Sequence, residues 1–159
     1  MPLETSDQSS WIPGQKADPI KRLLAFLVDG AIAAVLCLIP YLGHILAGVY
    51  LLLRDALPIA ALENKSVGKK LFALGLIKPV ASNGAQEDYL ISIKRNWMFA
   101  LGPLIYFLVF IPILGWLLDL VLVGGSVVIC IIETVLVFSD PKGIRIGDKL
   151  AGTQVIEIP

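Results

Sequence analysis

The stretch IKRLLAFLVDGAIAAVL, from Ile20 to Leu36, decides the fold class. With its flanking residues it supplies the roughly 20 mostly apolar positions that a helix needs to cross about 30 Å of hydrocarbon. Asp29 stands near the middle of this run, where an ionised carboxylate is costly unless it has a polar partner. The stretch therefore predicts a membrane helix over residues 20–39 whose acidic side chain is paired with another group.

The composition of the whole chain agrees with a membrane location. Of 159 residues, 57% are hydrophobic and 16% are charged, which is too apolar for a soluble domain of this size. Lys plus Arg and Asp plus Glu both number 13, so the charge balance gives no indication of a nucleic-acid partner. Cys37, Cys130 and His44 are too few for a metal site, and no catalytic constellation is present. We expect no metal, no cofactor and no enzymatic activity.

Three more apolar segments follow the first, over residues 41–57, 97–113 and 117–138. The two short turns that join them in pairs contain no Lys or Arg, so every basic residue lies on the other side. By the positive-inside rule, both termini and the middle segment are cytoplasmic. The sequence thus predicts an all-α protein of the plasma (inner) membrane, with four transmembrane helices in residues 20–159. The remaining segments are a polar arm (1–19), a cytoplasmic segment (63–94) and a cytoplasmic tail (139–159).

Two cytoplasmic stretches have features of short strands. ALGLIKPVASNGA, residues 73–85, is compatible with a strand that enters a turn at Asn83-Gly84, and GTQVIEIP, residues 152–159, alternates apolar and polar residues. A short β pairing of the two is one expectation. The alternative is that KKLFALGLIK, residues 69–78, lies at the membrane interface.

The charges inside the predicted helices form a second group of expectations. At 1.5 Å per residue, Asp29, Arg54 and Glu133 lie about 15, 20 and 24 Å from the outer ends of their helices. We therefore predict an intramembrane network of Asp29, Arg54, Asp55 and Glu133. In one interpretation Arg54 pairs with Asp29 or Glu133 and fixes the helix register. In the other, the carboxylates outnumber Arg54 and bind a proton or a small cation.

Small residues recur on three of the predicted helices. Gly30 and Ala34 are four residues apart, as are Gly43 and Ala47, and GGS occupies residues 124–126. Such residues permit close approach of helices, within the chain or against another subunit. They favour association with other membrane proteins or with a second copy.

Four motifs together resemble the RDD family of small membrane proteins: KRLLAFLVDG, SVGKKLFALGL, KRN and GDKLAGTQVI, in that order. The resemblance implies that Arg22, Asp29 and Asp148 are the arginine and two aspartates of the family, with Asp55 as the alternative second aspartate. Gly147 stands where the family often has His. The resemblance also implies a polytopic membrane protein, for which transport of a ligand is the usual suggestion.

Two functions are consistent with these features. The first is a non-enzymatic accessory or scaffold subunit that packs against a larger membrane complex in the lipid bilayer. The alternative is transport of an ion or small solute, with proton or cation coupling, by an oligomer.

Overall fold

The computed structural model describes residues 16–78 and 85–158, and these residues are mostly helical. The predicted arm up to residue 15 and the Asn83-Gly84 turn lie outside the described residues. In chain order the elements are α1 (Pro19–Cys37), α2 (Leu42–Leu53), a 3₁₀ turn (Ala60–Leu62), α3 (Val67–Leu71), β1 (Leu74–Ile77), α4 (Ala85–Ile105), a 3₁₀ segment (Tyr106–Phe110), α5 (Leu114–Ser139), α6 (Ile146–Ala151) and β2 (Gln154–Glu157).

Within the described part of the chain, α5 alone is both long enough and apolar enough to cross a membrane by length and composition. An 18-residue window within it has a mean hydropathy of 2.6, and only Gly115 and Glu133 of its residues are buried. α2 is apolar but has 12 residues, or about 18 Å of helix. α1 and α4 contain several charged residues. One helix, rather than the four expected, therefore meets this criterion.

The helix bounds differ from the sequence prediction most at α4, which begins at Ala85 and not near residue 97. The residues before Trp97 are polar enough to lie in water, but polarity does not prevent a helix. Glu87 and Asp88 occupy the first turn, where acidic side chains favour the positive end of the helix dipole. Pro103 lies inside α4, and the chain changes to 3₁₀ geometry after Ile105. The apolar pattern thus identified the C-terminal part of α4, from residue 97 onward, and missed its polar N-terminal part.

Two helical hairpins, α1–α2 and α4–α5, are joined by the same kind of turn. The turns read IPYLG (39–43) and IPILG (111–115). Tyr41 and Ile113 both have positive φ, 57° and 62°, in γ-turns that few non-glycine residues adopt. A Cβ on Gly43 would lie 1.9 Å from the carbonyl oxygen of Leu36, and one on Gly115 would meet Leu108 in the same way at 2.0 Å. Glycine is therefore required at the starts of α2 and α5, because each of these positions lies against the backbone of the segment that precedes the turn.

A similar helix and strand follow each hairpin. VGKKLFALGLI (67–77) forms α3 and β1, and IGDKLAGTQVI (146–156) forms α6 and β2. The strands pair antiparallel, with Leu76 opposite Val155. The expected β pairing is therefore present. The described residues thus form two similar halves, each with a hairpin, a short helix and a strand.

The N-terminal and C-terminal segments lie together beneath the hairpins. Lys16 forms an isolated β-bridge with Ile156 of β2, and Lys21 forms an ion pair with Glu157 at 2.7 Å. The helices pack in the order α1, α2, α4 and α5, while α1 and α5 contact each other little. Three of the four buried residues where α1, α2 and α4 meet are alanines, and one of them, Ala47, is fully buried. The gap between α1 and α5 leads to the site described next.

Candidate functional site: a buried ion cluster

The open ends of the two hairpins enclose an unusual concentration of charge. In residues 16–78 and 85–158, nine charged side chains are buried, each at most 9% exposed. Charged side chains are rarely buried unless they are paired, so this arrangement requires a network. We call these nine residues the ion cluster: Arg22, Asp29, Arg54, Asp55, Lys69, Arg95, Glu133, Arg145 and Asp148.

Both carboxylate oxygens of Asp29 have hydrogen-bond donors close to them. Its Oδ1 accepts from the Tyr50 hydroxyl and from the Gly68 backbone N–H, both at 2.9 Å. Its Oδ2 lies 3.4 Å from Arg54 Nη1. Gly68 reaches this position because its α-carbon lies against the backbone of Ala25, where a Cβ would be 2.0 Å from the carbonyl oxygen. The structure therefore brings Asp29 and Arg54 together, and it adds α3 as a third element.

Arg54, which directly follows α2, is held between aromatic rings. Its guanidinium lies 5.7 Å from the ring centroid of Phe26 and 5.4 Å from that of Phe99. The Nε and Nη2 groups donate to Asn96 Oδ1 at 3.3 and 3.0 Å. Glu133 is not among the partners of Arg54, so the suggested Arg54–Glu133 pair is absent.

Asp55 pairs with α3 and α4. It forms a close ion pair with Lys69, and its Oδ2 accepts from Asn96 Nδ2 at 3.0 Å. Arg95 Nε lies 3.4 Å from the same oxygen. Burial, with the nearby charge of Arg95, lowers the pKa of Lys69 to about 7, although Asp55 opposes the shift. Lys69 is therefore close to losing its charge at neutral pH.

Asp148 on α6 is the acidic centre of the second half. Arg22 Nη2, Arg95 Nε and Arg145 Nε lie 2.8, 3.0 and 3.3 Å from its carboxylate oxygens. Burial alone would raise the pKa of Asp148, but these three arginines hold it well below the usual value. Arg22 and Asp148, two of the residues picked out by the family resemblance, are thus direct partners across the length of the chain.

Glu133 repeats, on α5, the arrangement seen at Asp29. Its Oε1 accepts from the backbone N–H of Gly147 at 3.0 Å, as Asp29 accepts from Gly68. Its Oε2 lies 3.5 Å from Arg145 Nε, without hydrogen-bond alignment. A Cβ on Gly147 would lie 2.3 Å from the Arg95 carbonyl oxygen, which explains the glycine at this position.

The cluster therefore contains more than the predicted network of Asp29, Arg54, Asp55 and Glu133. Those four residues are brought to one region, and Asp29 pairs directly with Arg54. Asp55 and Glu133 pair instead with basic residues that sequence reasoning missed, namely Lys69, Arg95 and Arg145. Asn96, also missed, joins Arg54 to Asp55. The signal that could have found Arg95 and Lys69 is the similarity of the two halves. Arg95 follows Lys94 as Arg22 follows Lys21, and Lys69 occupies the place of Asp148 in the repeated helix.

A cavity lies beside the cluster, between α1 and α5. Its volume is about 70 Å³, counted as the space open to the centres of water molecules. All five buried cations line it, but of the four buried carboxylates only Asp29 and Glu133 do. Its other walls are mostly apolar, and Leu23 and Phe138 at its edge are 37% and 50% exposed.

In the described ranges, no three His, Cys, Asp or Glu side chains are placed to hold a metal ion. Comparisons of the chain with protein-family models, with curated proteins and with solved structures found no match.

Proposed function

We propose that the chain is an integral protein of the plasma (inner) membrane, similar to the RDD family, with four spanning helices and both termini cytoplasmic. Its proposed role is that of a non-enzymatic accessory or scaffold subunit, which packs against other membrane subunits or a second copy of itself.

The strand pairing supports four spans through a simple count of crossings. Because β1 and β2 are paired, they lie on the same side of any membrane. If α5 crosses once between them, another segment between β1 and α5 must cross back, and α4 with its 3₁₀ extension is the available one. The bridge between Lys16 and Ile156 requires an even number of crossings before β1 as well, which the α1–α2 hairpin satisfies.

The exposed small-residue face of α5 carries the proposal of an accessory role. A Cβ on Gly124 or Gly125 would meet nothing within 4 Å, whereas Gly43 packs closely within the chain. In a bilayer, small residues at such a face let a second helix approach. The pair Gly43 and Ala47 therefore serves the fold, and the α5 face is open to a partner.

The test is the mass of the particle in mild detergent, measured by native mass spectrometry on Gly124→Leu and Gly102→Leu. Both glycines have open space for a side chain, so neither substitution should unfold the protein. We expect Gly124→Leu to reduce the particle to a monomer and Gly102→Leu to leave the assembly intact. A wild-type protein that is monomeric under all mild conditions would contradict the proposal.

The second candidate function is transport of an ion or small solute, and one observation favours it. Buried ionisable groups, including Asp29 and Glu133, line a cavity inside a proposed membrane domain, where such groups commonly mark a pathway. The test is flux in liposomes. Unchanged flux in Asp29→Asn and Glu133→Gln would exclude this use of the cluster.

A further inference from the structure

The charges of the ion cluster are unevenly distributed around the cavity. Counted over the described residues and taken as ionised, the cluster has five cations and four carboxylates. The cavity wall contains all five cations, while Asp55 and Asp148 lie outside it. The part of the ion cluster that faces the cavity therefore has a more positive net charge than the cluster as a whole. This arrangement favours an anion and opposes a free cation.

Three buried atoms of the cavity-lining side chains have no hydrogen-bond partner. One of them, Arg95 Nε, still lies 3.0 Å from an Asp148 oxygen, which leaves Arg95 Nη1 and Glu133 Oε2 as the two atoms open to a ligand. Arg95 Nη1 has no acceptor, although Arg95 is only 1% exposed, and Glu133 Oε2 has no donor, although Glu133 is 3% exposed. Leaving such groups unsatisfied costs more than an ordinary hydrogen bond provides. A ligand that satisfies both must present an acceptor to Arg95 and a donor to Glu133.

We propose that the cavity binds a phosphate monoester. Such a group carries oxygen acceptors for Arg95 and the neighbouring arginines, and in its singly protonated form an O–H that donates to Glu133. Its second pKa is about 6, so the protonated form is accessible near neutral pH. Phosphodiesters and chloride supply acceptors only and leave Glu133 unsatisfied.

The dimensions of the cavity agree with this ligand. A space of about 70 Å³ holds about five to seven water-sized groups, at 10–15 Å³ each. A phosphate has four oxygens around one phosphorus, so it fits with room for at most two waters. The cavity edge at Leu23 and Phe138 is apolar and exposed, next to the gap between α1 and α5. An acyl chain can leave through this gap, so the monoester can belong to a lipid such as phosphatidic acid or to a soluble molecule.

This inference goes beyond the accessory role and does not depend on the α5 face. The test uses the full-length protein in dodecylmaltoside micelles. Native mass spectrometry measures binding of phosphatidic acid against phosphatidylglycerol, an anionic phosphodiester. Calorimetry measures glycerol 3-phosphate and inorganic phosphate against sulfate at equal ionic strength.

We expect phosphatidic acid to bind more tightly than phosphatidylglycerol. Binding of glycerol 3-phosphate as well identifies a headgroup site that soluble esters share, while binding of the lipid alone identifies a lipid site. Binding of the soluble esters without preference for phosphatidic acid identifies a soluble ligand. No preference for a monoester in either assay would overturn the proposal.

Two substitutions identify the responsible atoms. Arg95→Lys removes Nη1 and keeps the charge, and we expect about a tenfold or larger loss of affinity, since charge-assisted hydrogen bonds are strong. Lys94→Arg, an exposed change on the same helix, should have no effect. Glu133→Gln can still accept from Gly147 and offers an N–H in place of the carboxylate.

Glu133→Gln should therefore bind phosphate groups more tightly and lose the preference for monoesters over diesters. If Arg95→Lys fails to fold, the preference of Glu133→Gln for monoesters over diesters still tests the proposal. An unchanged preference in Glu133→Gln would overturn the role of this carboxylate, and with it the proposal. Loss of phosphate binding in a variant that still assembles separates this inference from the accessory role.

Discussion

Removing the Arg22–Asp148 ion pair should reveal a strong coupling between the two ends of the chain. The two side chains are 2.8 Å apart and 7% and 0% exposed, so neither is compensated by water when the other is removed. Breaking a buried pair by removing one partner costs about 3–5 kcal/mol. Arg22→Gln leaves Asp148 with two other arginines, so we expect a cost near the lower value. Asp148→Asn removes a carboxylate that three arginines share, so we expect a cost near the upper value.

The double variant should cost less than the sum of the single variants by about 2–3 kcal/mol, because the second substitution removes a side chain that has already lost this ion pair. The assay is equilibrium unfolding in mixed micelles of dodecylmaltoside and SDS, followed by tryptophan fluorescence. The matched control is Lys21 and Glu157, which join the same two segments at 2.7 Å but are exposed to solvent. Their double variant should show no measurable coupling.

A coupling below about 0.5 kcal/mol between Arg22 and Asp148 would be within the error of simple additivity. That result would refute the pairing and the closure of the C-terminal segment against α1. Equal coupling in the buried and the exposed pair would refute the role of burial.

Three further predictions test other parts of the structure. The pKa of Lys69 falls from 10.5 to about 7 on folding, so between these pH values the unfolded chain binds more protons than the folded one. The free energy of unfolding should therefore rise with pH, by about 2 kcal/mol from pH 7 to 9. Lys69→Met should abolish this dependence in the same unfolding assay. Gly43→Ala should destabilise the protein by about 1–3 kcal/mol through the clash in the first turn, whereas Gly124→Ala, in open space, should not, and equal melting temperatures for the two would count against the turn geometry. In a background without native cysteines, Cys at Leu76 and Val155 should form a disulfide on mild oxidation, and free thiols at both positions would contradict the strand register.

Much of the architecture follows from the sequence, because apolar runs and turn residues act locally. The first hairpin, the turn at Pro40 and the pairing of the two strand segments were predicted close to their observed places. The start of α4 was predicted wrongly, since hydropathy describes the preference of side chains for an apolar environment and not the hydrogen bonding of the backbone. One helix meets the criteria for a span by composition, because Asp29 and the charges of α4 count against their helices even though the fold buries several of them.

The ion cluster shows a different limit. Asp29 and Arg54 were expected to pair because both stand in apolar runs. Lys69, Arg95 and Arg145 lie in polar stretches, where a basic residue is normally solvated and serves as an orientation signal. Only the way in which α3 and α6 fold back under the hairpins buries them, and that contact is not encoded in any single segment. The similarity of the two halves is the one sequence feature that relates these stretches to each other.

The sidedness of four positions in membrane vesicles tests the four-helix topology directly. Single cysteines at Leu38, Ile113, Lys21 and Lys149, all in loops or at helix ends, are labelled with an impermeant maleimide in right-side-out and inside-out vesicles. Four crossings predict that Leu38 and Ile113 react only from the outside, and that Lys21 and Lys149 react only from the cytoplasmic side. Labelling of Leu38 from the same side as Lys149, with Ile113 alone on the other, would contradict the four-helix account.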